Sequence, residues 1–353
     1  MKMLVAGWFS FENGHATAGD MLARDVACEW MKAAGWSPDV SMAAPFEGGV
    51  DLDRVDPADY SHLLFVCGPF EQGELEARLL GRFGHCRLIG LNLSMSVPLD
   101  QWSPFDLLLE RDSSRAAHPD IVFTSRTRKI PVIGVCRVEP FPGAADHLAN
   151  AAIDRLVASG EMAVVEIDTR LDANTTGLRT AAEVEALIAR VDVLITTRLH
   201  GLVLALKNGV PAIAIDPIAG GAKIRKQAQT IGWPIVFNTD CLSDVQLHRA
   251  LTYCLTDDAR RRAVQSAARA RLWVDEAGDA LIAALADPEK LERTYRARQA
   301  SSSNGAWMDR YAVDRPVDNR GVARRRLRGS IARRIFQLVS AVTGRTTRRR
   351  GER

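Results

Sequence analysis

Residues 192–216, DVLITTRLHGLVLALKNGVPAIAID, admit very few folds. The runs 192–197 and 211–215 are short, apolar and rich in β-branched residues, as strands buried on both faces are. Between them residues 201–208 form an apolar stretch of helical length, and Gly209 follows as a helix stop. Strand, helix and buried strand in that order make a βαβ unit of a parallel sheet. The only charged or titratable side chains between the first strand and the helix body are Arg198 and His200. Open α/β sheets bind their ligands just beyond the carboxyl ends of strands. There a guanidinium grips a phosphate or carboxylate by two parallel hydrogen bonds, and an imidazole moves a proton near neutral pH. Backbone N–H groups at the helix start, those of Leu199 and Gly201 among them, favour an anion. The plain alternative is a capping histidine and a surface arginine. Two features weigh against it. The flanks are almost wholly apolar, and Asp216 and Lys223 follow where the next strand ends and the next helix begins.

The same alternation runs along most of the chain. Residues 2–9, 62–67 and 87–93 read as strands, 19–34 and 75–83 as helices, and 105–109 and 121–124 as shorter apolar pieces. A polar, basic break at 125–129 separates this series from a second one. In the second, the pattern predicts strands at 131–135, 162–167, 192–197, 211–215 and 235–238. It predicts helices at 145–158, 181–189, 201–208 and 223–231, and a wholly helical stretch from 243 to 298. Strands separated by helices imply parallel sheets with right-handed crossovers. The expected fold is therefore α/β, with two doubly wound, Rossmann-like domains facing a cleft, a helical C-terminal region and a basic tail. The expected divisions are 1–128, 129–300 and 301–353.

With 353 residues, 47% hydrophobic and 25% charged, the composition is that of a soluble globular protein, and no apolar run nears the ~20 residues of a membrane span. The start reads as a first strand and not a signal peptide. The six cysteines show no metal spacing, which predicts reduced thiols, no structural zinc and a cytoplasmic setting. His15, His62, His85, His118, His147 and His248 show no metal-like pairing, so no metal is expected. Gly220-Gly221 before Lys223 fits a phosphate approach or a plain turn equally. The net charge of +3 conceals a division. Residues 320–353, from Arg320 to Arg353, hold twelve arginines against one acid, Glu352, so the remainder is acidic. After a Ser-rich linker at 301–305, Ile331, Ile335, Leu338, Val339 and Val342 share one helical face of that tail. A solvated end and a nucleic-acid arm are the competing readings. The arm lacks aromatics beyond Phe336, so no nucleic acid is expected, and the apolar face favours a membrane-surface helix.

Arg198-Leu199-His200-Gly201, the apolar helix after it, Gly209-Val210-Pro211, the strand ending at Asp216, Lys223 and Ile231-Gly232 resemble the polysaccharide pyruvyl transferase family. Weaker similarity extends over residues 1–285, through Gly19-Asp20, 88–94, Glu110-Arg111-Asp112-Ser113 and 133–137. The resemblance implies a two-domain fold like that of GT-B glycosyltransferases. It implies transfer of the enolpyruvyl group of phosphoenolpyruvate to two sugar hydroxyls, giving a cyclic ketal and phosphate. The residues suit that chemistry. His200 is the expected general acid toward the methylene carbon, and Arg198 the ligand of phosphate or carboxylate. Arg137 and Lys223 are candidates for the other anion, and no cofactor or metal is required beyond phosphoenolpyruvate itself. Asp20 is a candidate for the acceptor, a polysaccharide or a lipid-linked saccharide at the inner face of the membrane. Its alternative role is a helix-start carboxylate favoured by the dipole. The chain departs from the family's Asn-x-Gly-Asp signature, since Thr17-Ala18 precede Gly19-Asp20, and shows Cys67-Gly68-Pro69 where the family carries a glycine pair. Both departures fall in the half expected to hold the acceptor. A nucleotide-sugar glycosyltransferase and a non-catalytic saccharide-binding scaffold are the alternatives, and fold alone does not separate them.

Overall fold

A computed structural model describes residues 1–139, 145–218 and 222–302. The chain forms two compact units with the break between Pro131 and Val132. In the first, β1 (Met3–Ala6), α1 (Ala18–Ala33), β2 (Asp39–Val40), β3 (His62–Phe70), α2 (Glu74–Phe83), β4 (Arg87–Met95) and β5 (Leu107–Leu109) follow in order. All five strands are parallel, in the order β2-β1-β3-β4-β5. Along β1, Leu4 and Ala6 enter a core that holds Leu79 and Phe83 of α2. Met3 and Val5 enter another that holds Ala23 and Ala27 of α1. A strand whose alternate residues feed two cores is covered on both faces, which explains its unbroken apolar run.

The second unit repeats the arrangement. It comprises β6 (Val132–Cys136), α3 (Asp146–Ala158), β7 (Ala163–Glu166), α4 (Ala181–Ile188), β8 (Val193–Thr196), α5 (Leu199–Lys207), β9 (Ala212–Asp216), α6 (Lys223–Ile231) and β10 (Val236–Asn238). Its sheet order is β10-β9-β8-β6-β7, again wholly parallel. Three helices close the described chain: α7 (Asp244–Cys254), α8 (Asp257–Leu285) and α9 (Pro288–Ser302). Both sheets have the 2-1-3-4-5 order of a doubly wound fold, so each reverses its winding once, between β1 and β3 and between β6 and β8. Those switch points are where ligands of such sheets bind.

Three sequence readings change in detail. β3 does not stop at Gly68 but pairs with β4 as far as Phe70 and Met95. Residues 121–124, read only as a short apolar piece, form a 3-10 turn. The helix expected from Gly201 begins at Leu199 with Arg198 as its N-cap, so His200 sits in the first turn and not in a preceding loop. Among the six cysteines only Cys241 is exposed, and all are free thiols. No described helix is long and apolar enough to cross a membrane. Gly220-Gly221 and the basic tail lie outside the described residues.

Candidate active site

At the β6/β8 switch point of the second unit lies a pocket of about 460 Å³. Val138 and Glu139 reach it from the segment after β6, Thr169 from beyond β7, and Thr197, Arg198, Leu199 and His200 from the end of β8 and the start of α5. Asp216, Lys223 and Ile224 line it from the end of β9 and the start of α6.

The close seating of α5 on the sheet depends on Gly201. A Cβ there would lie 3.0 Å from Thr196 Cβ, 3.3 Å from Cys136 Sγ and nearer still to Thr196 Oγ1. That hydroxyl accepts from Arg198 N at 3.0 Å and lies 3.2 Å from Arg198 O, which fixes the turn from β8 into α5. Where α1, α4 and α7 each begin with a capping box, α5 has no side-chain cap. Among the described residues none accepts from the amides of Leu199, His200 or Gly201, so this helix start offers its N–H groups to an anion. The α6 start differs. Asp216, 1% exposed, accepts from Ala222 N at 2.7 Å and Arg225 N at 3.1 Å through Oδ2, so the chain's own carboxylate already occupies it.

Arg198 is held from three sides. Nε donates to Arg137 O at 2.7 Å, and Nη2 to Glu139 Oε1 at 2.7 Å and Asp168 Oδ1 at 3.3 Å. Burial pushes the Asp168 carboxyl up, but the N–H groups of Arg170 and Thr175 and the Arg198 charge outweigh it and hold it below its ordinary value. Glu139 is likewise held low, its burial outweighed by its own backbone N–H, Arg198 and Arg170. His200 is exposed and borders the pocket, as does the exposed Lys223.

The structure thus gathers Arg198, Leu199, His200 and Lys223 around one pocket, with Gly201 beneath. It does not bring Arg137 there. That guanidinium donates to Asp154 Oδ1 at 2.7 Å and lies 3.6 Å from Glu166, and Arg137 serves the site only through its carbonyl. Asp216 borders the pocket but turns Oδ2 to the α6 start, while Oδ1 accepts from Ile218 N at 3.2 Å. Glu139 and Asp168 escaped the sequence reading. Both lie just past strand ends, which is the signal that could have marked them, but nothing local ties either to Arg198 across 59 and 30 residues.

Asp20 lies in the other unit, at the β1/β3 switch point. A pocket of about 400 Å³ there is lined by Trp8, His15, Thr17, Asp20, Cys67, Arg111 and Asp120, among others. Asp20 Oδ2 accepts from Thr17 N and Oγ1, both at 2.7 Å, in the capping box of α1, so the helix-start role is filled while the carboxylate also borders the pocket. Gly68, at φ 84°, leaves room for the Trp8 indole and Asp20, since a Cβ would strike the ring. Cys67 and Asn92, on adjacent strands, both adopt left-handed φ, at 66° and 58°. Asn92 Nδ2 donates to Cys67 Sγ at 3.5 Å and to Asp120 Oδ1 at 3.1 Å. Such conformations cost of order 1–3 kcal/mol each and cluster at functional sites. Burial, then the Asp20 and Asp120 charges, push the Cys67 thiol up to about 11, so it is not a nucleophile at neutral pH.

The family model for polysaccharide pyruvyl transferase matches residues 138–217. That segment contains Glu139, Asp168, Arg198, His200 and Asp216. No curated protein matches the chain with significance. Among solved structures, a glycotransferase of kitacinnamycin is similar at 10% identity and TM-score 0.28, with 76% of this chain and 94% of that one covered. The glycosyltransferase SnogD from Streptomyces nogalater is similar at 14% identity and TM-score 0.26, with the same coverage. At such TM-scores neither bears on what this chain does.

Proposed function

We propose that this chain moves the enolpyruvyl group of phosphoenolpyruvate onto two hydroxyls of a polysaccharide or lipid-linked saccharide. The observation that carries the reading is the meeting of Arg198, His200 and the uncapped α5 start in one pocket, inside the segment that the family model matches. Lys223 and the amides of Leu199, His200 and Gly201 take one anionic group of the donor, and Arg198 takes the other. His200 delivers a proton to the methylene carbon, and the adjacent carbon, now cationic, is attacked by the first hydroxyl. Loss of phosphate regenerates a cationic carbon, and the second hydroxyl closes the ketal. One hydroxyl proton restores His200 and the other leaves with phosphate. The pocket around Asp20, Trp8 and Arg111 receives the saccharide. The scheme uses no metal or further cofactor. The basic tail attracts the anionic inner leaflet and would keep a cytoplasmic enzyme near lipid-linked acceptors. Incubation with phosphoenolpyruvate and candidate glycans tests the reading, through phosphate release and a mass gain on the sugar. Consumption of a nucleotide sugar with transfer of its glycosyl group would select the glycosyltransferase alternative. Binding of glycans without turnover of either donor would select the scaffold.

A further inference from the structure

Arg198 carries two carboxylates on one nitrogen, and they differ in how firmly they are fixed. Asp168 is 6% exposed. Its oxygens also accept from Arg170 N at 2.9 Å, Thr175 N at 3.1 Å and Thr175 Oγ1 at 3.2 Å. Moving it would strip three donors of their acceptor. The Glu139 side chain is 47% exposed, and among the described residues its other side-chain partner is Arg170 Nη1 at 3.2 Å, on a half-exposed arginine that also pairs with Asp172. Glu139 can leave Arg198 and keep water and Arg170 as partners. Yet the shorter contact of Nη2, 2.7 Å against 3.3 Å, goes to this displaceable acid, which lines the same pocket as His200 and Lys223.

We infer that Glu139 is a built-in competitor for the Arg198 guanidinium, holding the place of a substrate anion until it is exchanged for one, with Asp168 as the fixed positioning residue. The inference deepens the function proposed above and rests on that reading only for the identity of the anion. An entering dianion beside both carboxylates would meet like charge within a few ångströms. Withdrawal of Glu139 onto Arg170, with which it already pairs, lowers that repulsion and frees the Nη2 hydrogen it holds, while the one on Asp168 stays engaged. Asp168 and the Arg137 carbonyl meanwhile keep the guanidinium plane in place. Glu139 therefore sets donor affinity by opposing it, and Asp168 sets it by supporting it, so the two acids act with opposite sign on one side chain.

Calorimetric titration of the full chain with inorganic phosphate, and separately with phosphoenolpyruvate, tests this on wild type, Glu139→Gln and Asp168→Asn. Glu139→Gln is expected to bind both anions about two- to fivefold more tightly, the upper range for release of a partly exposed ion pair. Asp168→Asn is expected to bind them more weakly. If Asp168→Asn does not fold, the Glu139→Gln result decides alone. Unchanged or weaker anion binding in Glu139→Gln overturns the inference, as does the absence of phosphate binding in both wild type and that variant. If the phosphate affinities follow the expected order while phosphoenolpyruvate is not turned over with any glycan, the exchange stands and the transferase reading falls.

Discussion

Gly201→Ala isolates how the seating of α5 supports the site. The added Cβ would fall 3.0 Å from Thr196 Cβ and closer to its hydroxyl, and Thr196 is fully buried. The contact is with a β-branched side chain packed in the sheet, so it does not yield as a flexible chain end would. Either α5 moves outward or the Thr196 hydroxyl gives up its bond from Arg198 N. Overpacking of this kind costs about 1–3 kcal/mol, and a lost buried hydrogen bond adds about 1 kcal/mol. Against this, alanine gains up to about 1 kcal/mol over glycine in a helix, less in the first turn where amides are not yet bonded within the helix. The net expectation is a loss of about 1–3 kcal/mol, or a Tm lower by roughly 3–10 °C for a unit of this size. Thermal and urea unfolding measure it. The double variant Gly201→Ala/Thr196→Ala supplies the control, since removing the struck hydroxyl should recover about 1 kcal/mol relative to the sum of the single changes. A Gly201→Ala chain at least as stable as wild type, or strict additivity in the double variant, would refute the packing argument.

His200→Ala should lower turnover of phosphoenolpyruvate by about 10²–10⁴-fold with unchanged unfolding, as loss of a general acid does; near-wild-type kcat would remove His200 from that role. In the first unit, Arg115 holds the Glu110 carboxyl down at about 2 from an ordinary 4.5, through contacts of 2.6 and 2.8 Å. With a depressed folded pKa, the resulting stability is complete above about pH 4.5 and disappears as pH falls toward 2. Discounted for the exposed Arg115, it amounts to about 1–2 kcal/mol. Arg115→Gln should flatten that acid limb in urea unfolding between pH 5 and 3, and an unchanged limb would show that other groups govern it. A chain ending at Ser302 should stay in the supernatant with anionic vesicles at low salt, whereas the full chain sediments and is released by high salt, since each basic side chain near such a surface contributes roughly 1 kcal/mol. Equal sedimentation of both would rule out the tail as the anchor.

The two α/β series, most strand positions and the placing of Arg198 and His200 at the end of a buried strand are legible in the amino-acid pattern. These rest on local periodicity and on stops such as Gly209 and Gly232, which act within a few residues. That pattern misplaces the start of α5 because no Ser, Thr, Asp or Asn caps that helix, and an uncapped start leaves no local mark. Which strand-end side chains meet follows from the packing of the folded sheet. The parallel register sets Val135 beside Ile195 and so places the ends of β6 and β8 side by side. Glu139 and Asp168 then reach Arg198 from remote parts of the chain, while Arg137 turns to Asp154 and Asp216 turns to α6. Side-chain direction at a strand end depends on what the neighbouring strand and helix offer, and in a parallel sheet those neighbours are far away in sequence. The residue types at the site could be read along the chain, whereas their pairing is a property of the folded sheet.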